Sequence, residues 1–324
     1  MEKPLTEKLR PKTLSDVVGQ EMNIKVLKDW VEKFNSNSFQ FPNMFFFGPP
    51  GTGKTSTARA FVTEILGPGR NGCMELNASN DRKIEVVRTK IKEFCSSMPM
   101  NKINIVILDE AEKMTSDAQT ALKAIIEEHN GTTRFIIISN EPEGVIEPIR
   151  SRCSQMFFGR LSDEDIESYI KKIVVGEGMN INSDAYGDIV SAVDGKPRDA
   201  LNFLSKLTSF SLITKEIVQK ISKDTSKIEW DSIYRSITVN PMTADKKVVE
   251  LIEKEGVDPR EIITQMLNKI LDDKELSDKI KPALVTKIAE YDFRIALRGT
   301  PRTQIRCMIW SFYHAMKNAK GQGG

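Results

Sequence analysis

The sequence predicts an α/β domain built on a parallel sheet, followed by a wholly helical region. Three observations carry that prediction. Near-continuous apolar runs recur through the first half of the chain, as strands covered on both faces require. Helical periodicity fills the intervals between them, an alternation that places helices on both faces of a sheet. Strand-like runs then stop near Phe158, and the later segments are amphipathic and helix-like.

The expected strands are 44–47 (MFFF), 73–77 (CMELN), 103–108 (INIVIL), 134–139 (RFIIIS) and 156–158 (MFF). Between the second and third, DRKIEVVRTKIKEF sets Ile84, Val87, Ile91 and Phe94 at helical spacing. In SDAQTALKAIIEE, Ser116 is the expected N-cap, and Gln119 three residues on completes a capping box. From GRLSDEDIESYIKKIV a helical region runs to about Lys223, where the polar stretch SKDTSKIEW has linker character. Beyond it DKKVVELIEKEG, PREIITQMLNKILDD, KIKPALVTKIAEYDFRIAL and PRTQIRCMIWSFYHAMK read as amphipathic helices, and GQGG as a frayed tail. The expected division is 1–160 for the sheet domain, 161–226 for a small helical domain and 227–324 for a second one.

Composition bounds the function. With 324 residues the chain is long enough for two or three domains. A net charge of +2 confines any nucleic-acid surface to a local patch. No apolar run approaches the roughly 20 residues of a membrane span, and MEKPLTEKLRPKTL lacks the apolar core of a signal peptide. The expectation is a soluble intracellular protein without a membrane partner. Cys73, Cys95, Cys153 and Cys307 form no metal spacing and read as reduced, partly buried thiols.

GPPGTGKT, Gly48 to Thr55, follows the first strand and precedes the helix-like STARAFVTEIL. Strand, glycine-rich loop and helix in that order make a phosphate site, because glycines let backbone N–H groups turn inward around phosphate oxygens. Lys54 can reach the β- and γ-phosphates, and Thr55 can offer its hydroxyl to Mg²⁺. The strand in IVILDEAE ends on Asp109, placed to hold Mg²⁺ through water, and on Glu110, placed to polarise an attacking water. Asn140 closes another strand; it is either a γ-phosphate ligand or a turn-forming residue. Arg198 in DGKPRDALN is either a cation closing over the nucleotide or a surface arginine. In EPIRSRC, Arg150 and Arg152 read as two unpartnered cations at the edge of a core.

LTEKLRPKTLSDVVGQ, GPPGTGKT, LNASNDRKIEVVRTKIKEF, ILDEAEKMTSDAQTAL, ISN, EPIRSRC and GKPRDALN occur in this order. Together they resemble the small subunits of the replication factor C clamp loader, which are AAA+ ATPases. The motifs span about residues 5–202; the last third resembles the family's collar only in length and character. The resemblance implies a phosphate-loop sheet domain, a helical lid and an all-helical collar. It implies ATP and Mg²⁺ bound by Gly48, Pro49, Pro50, Gly51, Thr52, Gly53, Lys54, Thr55 and Ser56. Arg10, Pro11, Val17 and Val18 would line the adenine, Asn140 would sense the γ-phosphate, and Arg198 would be a second sensor on the lid. Arg152 would be an arginine finger acting in trans on a neighbour's nucleotide. Implied partners are the other subunits of a pentamer, a ring-shaped sliding clamp, and primer–template DNA gripped through its phosphates. Arg82, Lys83, Arg88 and Lys123 are the implied DNA contacts. A solvated charged helix is the alternative, since the basic residues of that helix flank both sides of its apolar face. The compartment implied is the nucleus for a eukaryotic replication system and otherwise the cytoplasm.

The chain departs from the family pattern at Lys123–Ala124, where two arginines are common, and at Lys196–Pro197, where an acidic residue and Met are common. It also has DEAE in place of DEAD. None of these removes a hydrolytic residue. Met98, Pro99 and Met100 form an apolar cluster that either meets the clamp or packs between helix and strand. Two other readings are a non-hydrolysing scaffold, which would need damage at Lys54, Asp109 or Glu110, and another AAA+ motor on DNA. A thiol enzyme using Cys153 and His129 lacks any nucleophile motif.

Overall fold

The computed structural model describes residues 4–80, 85, 87–99, 102–221, 230–254, 256–274, 276, 280–297 and 299–321. The chain separates into two compact units, Met1–Ser222 and Lys223–Gly324. The SKDTSKIEW linker, apart from its final Trp230, and the last three residues of the tail lie outside the described residues, as does Ile84.

In the first unit, helices α1 (Leu5–Lys8) and α2 (Glu21–Asn35) precede strand β1 (Met44–Phe47) and helix α3 (Lys54–Leu66). Strand β2 (Cys73–Asn77) is followed by a π-helical turn, Val87–Ile91, and by α4 (Lys92–Ser96). Then come β3 (Asn104–Asp109), α5 (Ser116–Glu128), β4 (Thr133–Ser139), α6 (Glu147–Arg150) and β5 (Ser154–Phe157). The strands make one sheet in the order β2-β3-β4-β1-β5, and each pairing is parallel. This places the ends of β1, β3 and β4 side by side at one edge of the sheet, where open α/β sheets gather ligands.

Strands β1, β3 and β4 each feed two cores. Ile105, Ile107, Ile136, Ile138 and Phe46 pack with Leu27 of α2 and Phe61 of α3. Their strand neighbours Val106, Leu108, Phe135, Ile137 and Phe45 point the other way, onto Leu122, Ile125 and Ile126 of α5, as a pleat of period two demands. The apolar-run criterion puts the start of β5 too late. Its outer residues Gln155 and Phe157 are exposed and its first, Ser154, is polar. Ser154 joins the sheet because its N–H donates to the Asn43 carbonyl at 2.7 Å.

A third core gathers helices α7 (Asp163–Gly176), α8 (Tyr186–Val193), α9 (Pro197–Leu207) and α10 (Lys215–Ile221) around Ile166, Ile170, Ile189 and Leu204. The capping box expected at Ser116 is not there. Thr115 caps α5 instead, its hydroxyl accepting the Ala118 N–H at 3.3 Å. Gln119 is buried and bridges outward, donating to the Gly144 carbonyl at 2.8 Å and accepting the Ile146 N–H at 2.8 Å. A buried amide has to satisfy itself where partners stand, and here they stand across the fold.

The second unit comprises α11 (Trp230–Val239), α12 (Pro241–Glu253), α13 (Pro259–Asp272), α14 (Lys281–Ala296) and α15 (Pro301–Gly321). Its core joins Ile233, Val248, Met266, Leu284 and Phe312, among others. Asp245 on α12, buried, receives a two-pronged pair from Arg306 on α15 at 2.8 and 2.7 Å, a geometry that fixes one helix against the other. Among the described residues no helix is long and apolar enough to cross a membrane.

Candidate active site

The loop between β1 and α3 is wrapped for an anion. Gly48 has φ +137°, and a Cβ there would collide with the Phe158 carbonyl oxygen, so only glycine lets the loop leave the sheet at this point. The Thr52 hydroxyl donates to the Pro49 carbonyl at 2.9 Å. Lys54 is buried, and its Nζ donates to the carbonyls of Gly48 and Pro49, both at 2.7 Å. Burial pushes the Lys54 ammonium down to about 8, while the charges of Asp109 and Glu112 oppose that fall. Thr55 and Ser56 open α3 beside the loop.

The carboxylates stand on the adjacent strand end. The Thr55 hydroxyl donates to Asp109 Oδ2 at 2.8 Å, and Asp109 Oδ1 accepts the Glu110 N–H at 3.0 Å. Thr55 and Asp109 supply the oxygen donors that Mg²⁺ prefers. Glu110 has φ +54°, a left-handed conformation that a non-glycine residue adopts only when its surroundings impose it. Its carboxylate turns toward β2, where it takes the Ser79 hydroxyl and, at 3.5 Å, the Asn77 amide. Asn77 and Ser79 were not singled out from the sequence. The parallel register that sets Asn77 opposite Asp109 is what brings them in, and LNASN carries no chemical signature of that pairing. Asn140 follows β4 and donates to Glu112 Oε1 at 3.4 Å.

The helical group meets this loop, and the N-terminal segment joins the core beneath α3 to that of the helical group. Val17 packs with the core shared by α2 and α3, whereas Val18 packs with the core of α7–α10. Arg10 and Pro11 precede them; the Arg10 guanidinium is drawn below its ordinary value by burial first, then by the charges of Arg59 and Arg198. Arg198, in the first turn of α9, donates its N–H to the Gly51 carbonyl at 3.4 Å. Its Cβ lies 3.6 Å from the place a Cβ on Gly51 would occupy. Lys54, Thr55, Asp109, Glu110, Asn140 and Arg198 are thus brought to one end of the sheet.

Arg152 and Arg150 are not unpartnered. Arg152 pairs with Glu127 of α5 at 2.6 Å and donates to the Pro148 carbonyl at 2.7 Å. Arg150 pairs with Glu143 at 3.5 Å. Both carboxylates are distant in sequence or separated by a turn, so linear reading misses them. The Cys153 thiol is pushed up to about 12 by burial, which suits packing and not nucleophilic attack. Lys123 lies 4.0 Å from Glu127, one helical turn on. Arg82 and Lys83 lie outside the described residues; Arg88 is on the π-helical turn, and its side chain is outside them as well. Met98 is exposed and Met100 lies outside the described residues.

Residues 44–161 match the model of the AAA family, ATPases associated with various cellular activities, and residues 211–311 match that of the replication factor C C-terminal domain. Fold and loop therefore define an AAA ATPase with a nucleotide site at the end of a parallel sheet. The Holliday junction branch migration motor RuvB of Thermotoga maritima has the same fold, with a TM-score of 0.57 at 17% identity over 80% of this chain and 85% of that one. A replication factor C small subunit of Picrophilus torridus is 34% identical over 94% of this chain and 95% of its own length. One from Methanococcus maripaludis is 35% identical over 95% and 98%, and one from Methanosarcina barkeri is 36% identical over 94% and 95%. The chain belongs to the replication factor C small subunit family.

Proposed function

We propose that this chain is an ATPase subunit of a DNA sliding-clamp loader. ATP binding drives clamp opening and a grip on primer–template DNA, and hydrolysis releases the loaded clamp. The observation that carries the reading is the intact hydrolytic set at one strand edge, Lys54 with Asp109, Glu110 and Asn140, in a chain of this family. A scaffold subunit would have no need of all four.

Within that reading the backbone amides of the loop and Lys54 bind the triphosphate, and Thr55 and Asp109 hold Mg²⁺. The metal supplies charge neutralisation on the phosphate oxygens. Glu110 orients and polarises the attacking water after leaving Ser79 and Asn77. Asn140 and Arg198 read the γ-phosphate from the sheet and from the lid, and Arg10, Pro11, Val17 and Val18 enclose the adenine. Arg152 exchanges Glu127 for the nucleotide of a neighbouring subunit. Lys123, with Arg82, Lys83 and Arg88, tracks DNA phosphates. Residues 1–160, 161–226 and 227–324 serve as nucleotide domain, lid and collar, the last closing a pentamer.

Glu110→Gln is the direct test, with the other active subunits of the assembly silenced. Nucleotide affinity should stay within about twofold, while turnover falls at least 100-fold and loaded clamps are no longer released. Unchanged hydrolysis would remove Glu110 from the role assigned to it.

A further inference from the structure

Glu112 is a carboxylate that the reading above leaves without a task. It lies on the short 3-10 turn Ala111–Lys113, directly after Asp109 and Glu110. All the other carboxylate oxygens at this strand end are occupied: those of Asp109 by Thr55 and a backbone N–H, those of Glu110 by Asn77 and Ser79. Glu112 Oε1 accepts the Asn140 amide. Its Oε2 is buried and, among the described residues, has no hydrogen-bond partner. The stem is fixed from behind, since a Cβ on Gly144 would stand 2.5 Å from the Glu112 Cβ. The carboxylate is near enough to Lys54 to favour its charged form.

A buried acceptor without a donor is costly and rare in folded proteins, and more so when it is charged. Such an oxygen is completed by an ordered water or by a ligand. A carboxylate accepts and cannot donate, so the amide facing it must present nitrogen. Glu112 thereby decides which way round the Asn140 amide stands. Its second oxygen, beside the triphosphate-binding lysine, is the remaining acceptor for whatever enters.

We propose that Glu112 is a positioning residue of the hydrolytic site: Oε1 orients the Asn140 amide, and Oε2 accepts a hydrogen bond from a water that enters with the nucleotide. The proposal rests on the reading of Asn140 as the residue that senses the γ-phosphate. Glutamate reaches one methylene further than the aspartate common at this position, and that reach is what places the carboxylate against Asn140.

The test compares Glu112→Gln, Glu112→Asp, Asn140→Ala and the Gln–Ala double variant in the assembled complex, measuring kcat, KM for ATP and the affinity for a fluorescent ATP analogue. Glutamine at 112 can donate or accept, so it no longer fixes the amide. The expected result is a kcat about 10-fold lower with nucleotide affinity unchanged or slightly tighter. Glu112→Asp keeps the charge but is one methylene too short to meet Asn140, so it should lose about as much as Glu112→Gln. The double variant should be no slower than Asn140→Ala alone, since both changes remove one unit. Full kcat in Glu112→Gln beside a slow Asn140→Ala overturns this proposal and leaves the sensor standing, as do losses that multiply. Normal turnover in Asn140→Ala overturns the sensor reading, and this proposal with it. If Glu112→Gln does not fold, Glu112→Asp takes its place in the cycle, where additivity with Asn140→Ala overturns the proposal.

Discussion

Lys54 carries its charge where water barely reaches, and two backbone carbonyls accept from its ammonium. Its depressed value near 8 in the free chain has a definite sign. Below about pH 8 the ammonium is charged before ATP arrives; above it, the proton has to be taken up on binding, because a triphosphate favours the cation. ATP affinity should therefore be full at pH 7 and decline as pH rises past 8. Titration calorimetry in buffers of different ionisation enthalpy should show proton uptake that is small at pH 7 and grows as pH rises past 8. Lys54→Arg should abolish the uptake, since guanidinium stays charged throughout. At this scale the sequence was legible wherever spacing alone carries the chemistry, as in GPPGTGKT and the Asp109–Glu110 pair. It was not legible for Asn77, Ser79, Glu112 and Glu127. Each meets a partner that only strand register or a turn brings near.

Among the elements, the turn from β1 into α3 is the most constrained. Gly48→Ala meets both a φ of +137° and the Phe158 carbonyl. Left-handed backbone costs a side chain about 1–3 kcal/mol, and the collision adds to it. The expected outcome is a clear fall in the urea midpoint of the variant together with loss of ATP binding. The strands were legible as apolar runs because β1, β3 and β4 are flanked on both sides and largely buried, and the edge strand β2 is half-buried. The exception is instructive: β5 begins with Ser154 and Gln155, and pairing with β1 makes it a strand without help from hydrophobicity. The cap of α5 slipped by one residue for a related reason. Ser116 and Thr115 are both good caps, and Gln119 was drawn off by Gly144 and Ile146.

For the whole molecule, the proposed route runs between chains. Arg152→Ala should leave the variant's own ATP binding intact and slow hydrolysis in the subunit whose nucleotide it would complete. Loss of its own binding would make Arg152 a local structural residue held by Glu127. The chain purified by itself should hydrolyse ATP slowly, and DNA-stimulated turnover of the assembly should weaken steeply with added salt, as phosphate contacts do. Val17 and Val18 have a mechanical meaning of their own. Consecutive side chains are anchored in different cores, one under the sheet and one among helices α7–α10. The peptide link between them therefore stitches two cores together, as do the crossings from Leu9 to Leu14, from Val18 to Ile24 and from Phe158 to Leu161. Any motion of one core against the other must be absorbed by torsions at all four crossings. A ligand edge placed against both valines would touch both cores at once, as the proposed adenine pocket requires.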